Sequence, residues 1–569
     1  MKTGRIFIKA VLSVFLIFIL VCSSQAFLIT SFCPDTWLKG EGDEFFVLSG
    51  TGSLNGIMVS DGEGSVRFPE NSYCSGLVVV AREGEAYEKI HKNPPDYEMY
   101  DTSPAIPDAI RTGNLQMGNS GDELTLYKNS KVIQTVSWPG DVSKGEGRVH
   151  FLKDGIWDAR PYFIGQSEFS PESFEDVTLT AFVSPDCSYE VLKGAVLDAK
   201  SDIKLNVYEF TSPYIAEILA GKSKSGVKLT VLLEGGPVGG ISSDENYAVS
   251  EITGAGASVY SVETEIGPFH TPYRYNHAKY MITDDENILL ASENFGLTGF
   301  PPQGKTGNRG YGVYVNDKQT SEYFKSVFEE DINGGWVGAF TPKRGSLSPD
   351  EESLKSFSPE FKPEVFTGVF LTPVISPDTS YLIEDMISNA KYSVDIEQAY
   401  IKNWSTGKNP YLEAAIDAAR RGANVRILLD SYWFNTEGDL DNDEMAEYIN
   451  SVAKSENLPL EAGLADLNRL GIEKIHNKAV ITDGESVLIS SVNWNENSPS
   501  YNREAGVILS GGNVSKYYKK VFDYDWERRQ GAESAVFSGL SENDGYGAKC
   551  LTGIIVIFLF AVIYLVRRR

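Results

Sequence analysis

The sequence predicts a mixed α/β protein of several domains, built around two copies of one α/β unit. Three observations support this prediction. Short β-rich segments fill residues 27–150, one pattern of turn, helix and strand occurs twice between residues 165 and 535, and an uncharged apolar run lies close to the end of the chain. At 569 residues, the chain is also too long for a single hydrophobic core.

Residues 1–26 have the three parts of an export signal. A basic start is followed by the apolar run "VLSVFLIFILV", and Ser24-Gln25-Ala26 forms a small-x-small cleavage site. The sequence therefore predicts a signal peptide at 1–26 and export of the chain. A retained N-terminal anchor is the alternative.

The apolar run Leu551–Val566 predicts a transmembrane helix, joined to the preceding domain by a linker at 536–550. At about 1.5 Å per residue it is slightly short for a bilayer core of about 30 Å, which Lys549 can extend by snorkelling. The arginines at 567–569 favour the cytoplasmic side. The expected location is therefore the cell membrane, with a single span and the bulk of the chain extracellular. A buried soluble helix and a processed sorting tail are the alternatives.

The net charge of −27 repels both nucleic acid and anionic bilayers unless basic residues are concentrated locally. Outside the terminal segments the cysteines are Cys33, Cys74 and Cys187. A Cys33–Cys74 disulfide, with Cys187 as a free buried thiol, is compatible with an exported chain. No cysteine spacing resembles a zinc site, so no metal is expected.

Segments such as "DEFFVLSG", "GLVVVA" and "GDELTLYKNSKVIQTVSW" read as strands separated by turn residues. Through Asp43-Glu44, Ser60-Asp61-Gly62 and Gly118–Asp122, residues 27–150 resemble the lamin-tail domain. That resemblance implies an immunoglobulin-like β-sandwich that binds or spaces, and we assign it no catalytic chemistry.

Two internal similarities define the duplication. "VSPDCSYEVLKGAVLDAKSDIKLNVYEF" is similar to "ISPDTSYLIEDMISNAKYSVDIEQAY", and "SGVKLTVLLEGG" is similar to "RGANVRILLDSYW". We therefore predict repeat 1 at 165–340, a connector at 341–364 and repeat 2 at 365–535.

Each predicted repeat contains one copy of the pattern H-x-K-x4-D-x6-small-S-x-N, and the two copies lie 199 residues apart. The first copy consists of His277, Lys279, Asp284, Ser292 and Asn294, and the second of His476, Lys478, Asp483, Ser491 and Asn493. A lone His-x-Lys on a strand is usually a solvated face. Two copies in register with an independent repeat instead indicate chemistry.

These residues resemble the HKD signature of the phospholipase D superfamily, and the resemblance covers about 165–535. The family includes phospholipases, cardiolipin and phosphatidylserine synthases, nucleases and DNA-repair phosphodiesterases. The resemblance implies two halves related by pseudo-two-fold symmetry, with both motifs in one cleft. Where the family has glycine before the serine, this chain has Ala291 and Ser490.

The residue types also suit attack on an anionic phosphodiester. Two lysines can neutralise the non-bridging oxygens, and the asparagines can add neutral donors with help from the neighbouring serines. One imidazole can act as the nucleophile while the other protonates the leaving alkoxide. The expected intermediate is a phosphohistidine, and no cofactor is needed.

The resemblance also implies an acid that grips the histidine of the opposite half. Asn502-Arg503-Glu504 follows the second motif, whereas Asn308-Arg309-Gly310 follows the first. We hypothesise that Glu504 orients His277 as the nucleophile and that His476 is the leaving-group acid. The motif aspartates, at odd spacing and just past the strand, are interpreted as turn residues.

The predicted function is that of an extracellular, membrane-anchored phosphodiesterase of phospholipase D type. Phospholipid hydrolysis or head-group transfer, including a cardiolipin synthase-like reaction, is favoured because the tail holds the site near a membrane. A secreted nuclease acting on DNA or RNA is one alternative, and a catalytically weak surface-binding protein is another. No obligatory protein partner is expected.

Overall fold

The computed structural model describes residues 27–139, 147–153, 156–157, 162–263, 265–266, 269–347, 354–405, 407–438 and 441–531. The predicted signal peptide, the linker at 536–550 and the transmembrane segment at 551–566 lie outside these residues.

The predicted location as a single-pass protein of the cell membrane is wrong by this structure. Among the described residues, no helix is both long enough and apolar enough to span a bilayer. A span needs about 20 apolar residues in one helix, whereas the longest described helices have 15 residues. Membrane contact through a C-terminal helix is likewise not supported.

The N-terminal part of the chain is a sandwich of two β-sheets. One sheet has the order β11-β10-β1-β2-β5-β6, with β12 paired to β10, and the other has the order β7-β4-β3-β8-β9. The strands are β1 (Leu28–Cys33), β2 (Phe45–Ser53), β3 (Ile57–Ser60), β4 (Gly64–Arg67), β5 (Tyr73–Glu83), β6 (Tyr97–Tyr100), β7 (Ile110–Gly113), β8 (Gly121–Lys128), β9 (Lys131–Pro139), β10 (Arg148–Lys153), β11 (Ile156–Trp157) and β12 (Tyr162–Phe163).

Alternating side chains of both sheets, such as Phe46, Val59 and Leu124, meet in a common buried core. One helix, α1 (Gly84–His91), interrupts the β segment and buries Tyr87 and Ile90, three residues apart. The relation of this sandwich to lamin-tail domains stays a prediction.

The Cys33–Cys74 disulfide does not form, because the two residues lie far apart on the same sheet. Cys33 pairs with Phe45 of β2, whereas Cys74 pairs with Gly52 of the same strand. Seven residues at about 3.3 Å each separate these positions, far beyond the reach of a disulfide. All three described cysteines are free and buried, as expected for Cys187.

The rest of the described chain contains two runs of strands and helices. The first comprises β13 (Phe174–Ser184), α2 (Ser188–Asp198), β14 (Asp202–Val207), α3 (Pro213–Lys224), β15 (Lys228–Glu234), α4 (Ser243–Gly254), β16 (Ser258–Val262), β17 (Glu265–Ile266), β18 (Phe269–His270), β19 (Lys279–Thr283), β20 (Asn287–Ala291), β21 (Gly310–Asn316), α5 (Lys318–Ile332) and β22 (Val337–Ala339).

The second run comprises β23 (Glu364–Ser376), α6 (Tyr381–Ser388), β24 (Ser393–Gln398), α7 (Pro410–Arg420), β25 (Asn424–Leu429), a 3-10 turn (Trp433–Asn435), α8 (Asn442–Glu456), β26 (Leu460–Leu464), α9 (Leu467–Leu470), β27 (Lys478–Thr482), β28 (Ser486–Ser490), α10 (Asn497–Tyr501), β29 (Glu504–Gly511) and α11 (Val514–Glu527).

Both runs contribute strands to one 15-stranded sheet. Its two halves have equivalent strand orders when each is followed from the centre of the sheet outward. On one side it is β13-β21-β20-β19-β14-β15-β16, followed by β22, and on the other it is β23-β29-β28-β27-β24-β25-β26. The central strands β13 and β23 pair antiparallel, so the two repeats share a continuous sheet. The fold is therefore a duplicated α/β unit with pseudo-two-fold symmetry, as predicted.

Candidate active site

Each motif lysine is the first residue of a strand inside the shared sheet. Lys279 of β19 pairs with Val207 of β14, and Lys478 of β27 pairs with Gln398 of β24, in the same register. Each lysine Nζ donates a hydrogen bond to the carbonyl oxygen of its own motif histidine, at 2.8 Å in repeat 1 and 2.6 Å in repeat 2. Both lysines are buried, so strand pairing fixes their positions.

The two motifs meet because each histidine backbone is bonded to the opposite repeat. The amide of His277 donates to the carbonyl of Arg503 at 2.8 Å, and the amide of His476 donates to the carbonyl of Arg309 at 2.9 Å. Arg503 and Arg309 directly precede β29 and β21, which lie beside the seam between the repeats. The histidines therefore lie at the junction of the two units.

The imidazole of His277 is held by the acid that the sequence singled out. Its Nδ1 lies 2.8 Å from Oε2 of the buried Glu504, whose other oxygen accepts hydrogen bonds from Ser498 and Asn502. Burial raises the pKa of Glu504, but the contact with His277, the charge of Lys279 and a hydrogen bond from Ser491 together outweigh burial, and the net shift of the pKa is downward. A charged carboxylate can only accept, so Nδ1 of a neutral His277 carries the proton and Nε2 keeps its lone pair.

The imidazole of His476 faces an acid that the sequence reasoning missed. Its Nδ1 lies 3.3 Å from Oε2 of Glu293, a buried residue inside the first motif. Burial raises the pKa of Glu293 to about 7, although a hydrogen bond from Asn308 acts in the opposite direction. The only sequence signal was the acid in "ASEN", where the second motif has valine in "SSVN".

The basic groups of the site are crowded and buried. Burial lowers the pKa of Lys279 to about 8, and burial together with Lys279 lowers the pKa of Lys478 well below its ordinary value. Burial lowers the pKa of His277 to about 4, and burial with the nearby lysines lowers the pKa of His476 well below its ordinary value. Such a site is short of negative charge, which an anionic ligand would supply.

The motif serines and asparagines lie just after β20 and β28. Ser292 Oγ accepts from the amide of Tyr311, and Ser491 Oγ bonds to the backbone of Ala505, so both serines tie the motif to the next strand. The amide oxygens of Asn294 and Asn493 are buried and have no hydrogen-bond partner within the described part of the chain. Their predicted role as donors to substrate stays a proposal.

Asp284 and Asp483 lie away from the histidines, in the turns after β19 and β27. Asp284 accepts backbone amides of residues 200–202, and Asp483 accepts those of residues 391–393. Both aspartates have positive φ angles, 59° and 55°. This geometry agrees with their interpretation as turn residues.

Tyr208 is a further neighbour that the sequence reasoning did not identify. Its ring packs edge-on against the His277 imidazole, with centroids 4.7 Å apart, and its hydroxyl accepts the amide of Val238. Ala399 stands at the corresponding place in repeat 2, so no repeat pattern could reveal it. Tyr208 therefore shields one side of the His277 imidazole.

The family described as "Cardiolipin synthase, PLD-like domain" matches residues 192–332 and 383–526, which together make up half of the chain. These ranges contain both histidine–lysine pairs and both acids. The chain belongs to the phospholipase D superfamily, and it is an enzyme of the phosphodiester-acting kind found there. No curated protein matches the chain by sequence.

Several solved structures are similar to parts of this chain. Phosphatidylserine synthase from Haemophilus influenzae Rd KW20 is 11% identical, with a TM-score of 0.46 over 62% of this chain and 86% of that one. The phospholipase D family member Nuc from Salmonella typhimurium is 20% identical, with a TM-score of 0.24 over 30% and 99%. Polyphosphate kinase from Porphyromonas gingivalis is 11% identical, with a TM-score of 0.39 over 62% and 46%. Likenesses this low carry no argument about substrate.

Proposed function

We propose that this protein is a phosphodiesterase of phospholipase D type that acts on phospholipids through a phosphohistidine intermediate. One observation carries the proposal. Two histidines from opposite repeats lie at one junction, each with a carboxyl group at Nδ1 and each beside a buried lysine. Such pairs supply a nucleophile, an acid and positive charge for one phosphate.

In the first step, Nε2 of His277 attacks phosphorus and a P–N bond forms. The P–O bond to the leaving alcohol breaks, and its oxygen takes a proton from Nε2 of His476. Lys279 and Lys478 stabilise the charge on the non-bridging oxygens of the transition state.

In the second step, water or another alcohol attacks the phosphorus of the phosphohistidine. The incoming oxygen gives its proton to His476, the P–N bond breaks and His277 is regenerated. Water completes hydrolysis, and an alcohol completes head-group transfer.

The choice of phospholipid rests on charge and on the loops that flank the histidines. The net charge of −27 disfavours nucleic acid. Asp430 accepts the amide of Ile475, next to His476, and the loop after it carries Trp433 and Phe434 with 56% and 70% of their surface exposed. Exposed aromatic residues of this kind favour a lipid interface.

The corresponding loop in repeat 1 has the same character. Glu234 accepts the amide of Asn276, next to His277, and the loop that follows carries Val238 with 74% of its surface exposed. In each repeat, exposed apolar side chains therefore follow an acid that binds the backbone next to a motif histidine, which supports a substrate presented in a lipid surface.

The test is to incubate the purified chain with phospholipid vesicles, plasmid DNA and bis(p-nitrophenyl) phosphate. We expect release of the head group from phospholipid, and loss of that release in His277→Ala and His476→Ala. Cleavage of DNA in preference to phospholipid would instead support a nuclease. Inertness of the wild-type protein on all three substrates would refute the proposed function.

A further inference from the structure

Gly310 and Glu504 occupy equivalent places in the two repeats. Each is the first residue of its strand, β21 or β29, and each follows an Asn-Arg pair. Glu293 corresponds to Val492 of the second motif. Repeat 1 thus has its acid within the motif, and repeat 2 has its acid at the start of the next strand.

The two acids nevertheless have similar surroundings, although only Glu504 is hydrogen bonded to its histidine. Glu504 lies 2.8 Å from Nδ1 of one motif histidine and Glu293 lies 3.3 Å from Nδ1 of the other. Asn502 donates its side-chain amide to Glu504 at 3.1 Å, and its counterpart Asn308 donates to Glu293 at 2.9 Å. The asparagine at the same position in each repeat therefore holds the acid, although the acid comes from a different position in each repeat.

The glycine at 310 is explained by space. A Cβ atom placed on Gly310 would lie 2.2 Å from Oε1 and 2.6 Å from Cγ of Glu293. Its backbone does not have the positive φ that would itself demand glycine. The carboxyl group of Glu293 fills the room that a side chain at 310 would need.

We propose that Glu293 is the positioning residue for His476, and that it replaces the acid absent at Gly310. This inference rests on the proposed function, in which His476 protonates the leaving group and later activates water. At 3.3 Å the two groups are close but not hydrogen bonded, and Nδ1 of His476 is a buried atom with no hydrogen-bond partner among the described residues. Catalytic contacts of this kind commonly tighten when substrate binds.

The first experiment separates positioning of an acid from general support of the fold. p-Nitrophenolate leaves without protonation, whereas the alkoxide of a phospholipid needs an acid. Glu293→Gln should lower kcat on phospholipid about 10- to 100-fold, part of what general acid catalysis contributes. It should leave the first burst of p-nitrophenol from bis(p-nitrophenyl) phosphate within about threefold of wild type. Glu504→Gln, the matched control, should slow both, because it acts through the nucleophile.

The second experiment moves the acid to its symmetric position. Glu293→Val gives repeat 1 the residue of repeat 2 and should lose activity on phospholipid. Adding Gly310→Glu should restore at least about a tenth of wild-type kcat, since the carboxyl group returns to the same histidine. Thermal unfolding of each variant confirms that it is folded.

The outcomes separate the two proposals. An active wild type with unchanged kcat in Glu293→Gln would overturn the role of Glu293 and leave the proposed function standing. An equal loss of burst and turnover, without rescue by the double variant, would also overturn it. A wild type inert on both phosphodiesters would refute the proposed function itself.

Discussion

At the residue scale, the substrate-free site favours neutral imidazoles. Burial lowers the pKa of both His277 and His476 below the ordinary range, so neither carries a charge near pH 7. A neutral His277 suits a nucleophile, but His476 needs a proton to act as an acid. A bound phosphate anion opposes the effect of burial and of the lysines, and it therefore raises the pKa of His476.

Binding of inorganic phosphate should accordingly be coupled to proton uptake. At pH 7, we expect up to about one proton to be taken up per site. The reason is that a bound anion raises the lowered pKa values of the buried basic groups back toward 7. Calorimetric titration in buffers of different protonation enthalpy measures this number. His476→Ala should reduce the uptake, and proton release by the wild type would contradict the charge balance described above.

The assignment of the nucleophile is tested by trapping the intermediate. Glu504 holds the Nδ1 proton of His277, so that Nε2 is free to attack. We expect acid-labile phosphate on His277 after a denaturing quench, and a loss of turnover of more than about 10³-fold in His277→Ala. Phosphate found on His476 would reverse the two roles.

At the element scale, the motif aspartates hold the turn that ends each motif strand. Asp483 accepts three successive backbone amides, and its left-handed conformation is one that aspartate tolerates better than most residues. Burial raises its pKa, but these hydrogen bonds outweigh burial and the net shift is downward. The carboxylate therefore contributes to the stability of the link between β27 and the loop before β24.

Asp483→Asn should lower the free energy of unfolding by about 1 kcal/mol at neutral pH. The pKa of Asp483 is lower in the folded state than in the unfolded state. The variant's loss in free energy of unfolding should therefore have its full size above the unfolded-state pKa of about 4. It should shrink as pH falls through the folded-state value. Urea denaturation of both proteins from pH 7 to pH 3 measures it. A difference that grows on acidification would show that the charge is not stabilising.

At the scale of the whole molecule, two buried arginines lock the repeats together. Arg309 of repeat 1 binds Asp186 at 2.7 Å and also Asp525 of α11, in repeat 2, at 2.8 Å. Arg503 of repeat 2 binds Asp331 of α5, in repeat 1, at 2.9 Å. Arg309 and Arg503, whose carbonyl groups bind the amides of the motif histidines, thus also form the ion pairs that join the two repeats.

Arg309→Met should cost about 3–5 kcal/mol in the free energy of unfolding, because it leaves two buried acids without their cation. Arg420→Met is the matched control, since Arg420 makes its ion pairs at the surface and its loss should cost much less than the loss of Arg309. Denaturant unfolding of both variants gives the comparison. Equal losses would indicate that the buried pairs are not what couples the repeats.

Much of the site could be predicted because it is repeated within the chain. Two copies of one motif, in register with a second similarity, identified the histidines and lysines and the duplicated fold. Glu293 was missed because Gly310 occupies the place where an acid was sought and because the second motif has Val492 at the position of Glu293. The predicted single-pass membrane location was wrong for another reason, since no described helix is long and apolar enough to span a bilayer and the tail on which the prediction rested lies outside the described residues.

By itself, the sequence determined the duplication, the residue types of the site and the class of chemistry, because these are carried by local patterns that recur. Only the tertiary structure showed that Glu293 faces His476 and that Cys33 and Cys74 remain apart. Those facts depend on contacts between residues distant in the chain. Strand pairing and side-chain volume set such contacts, and one repeat can satisfy them from a different position than the other.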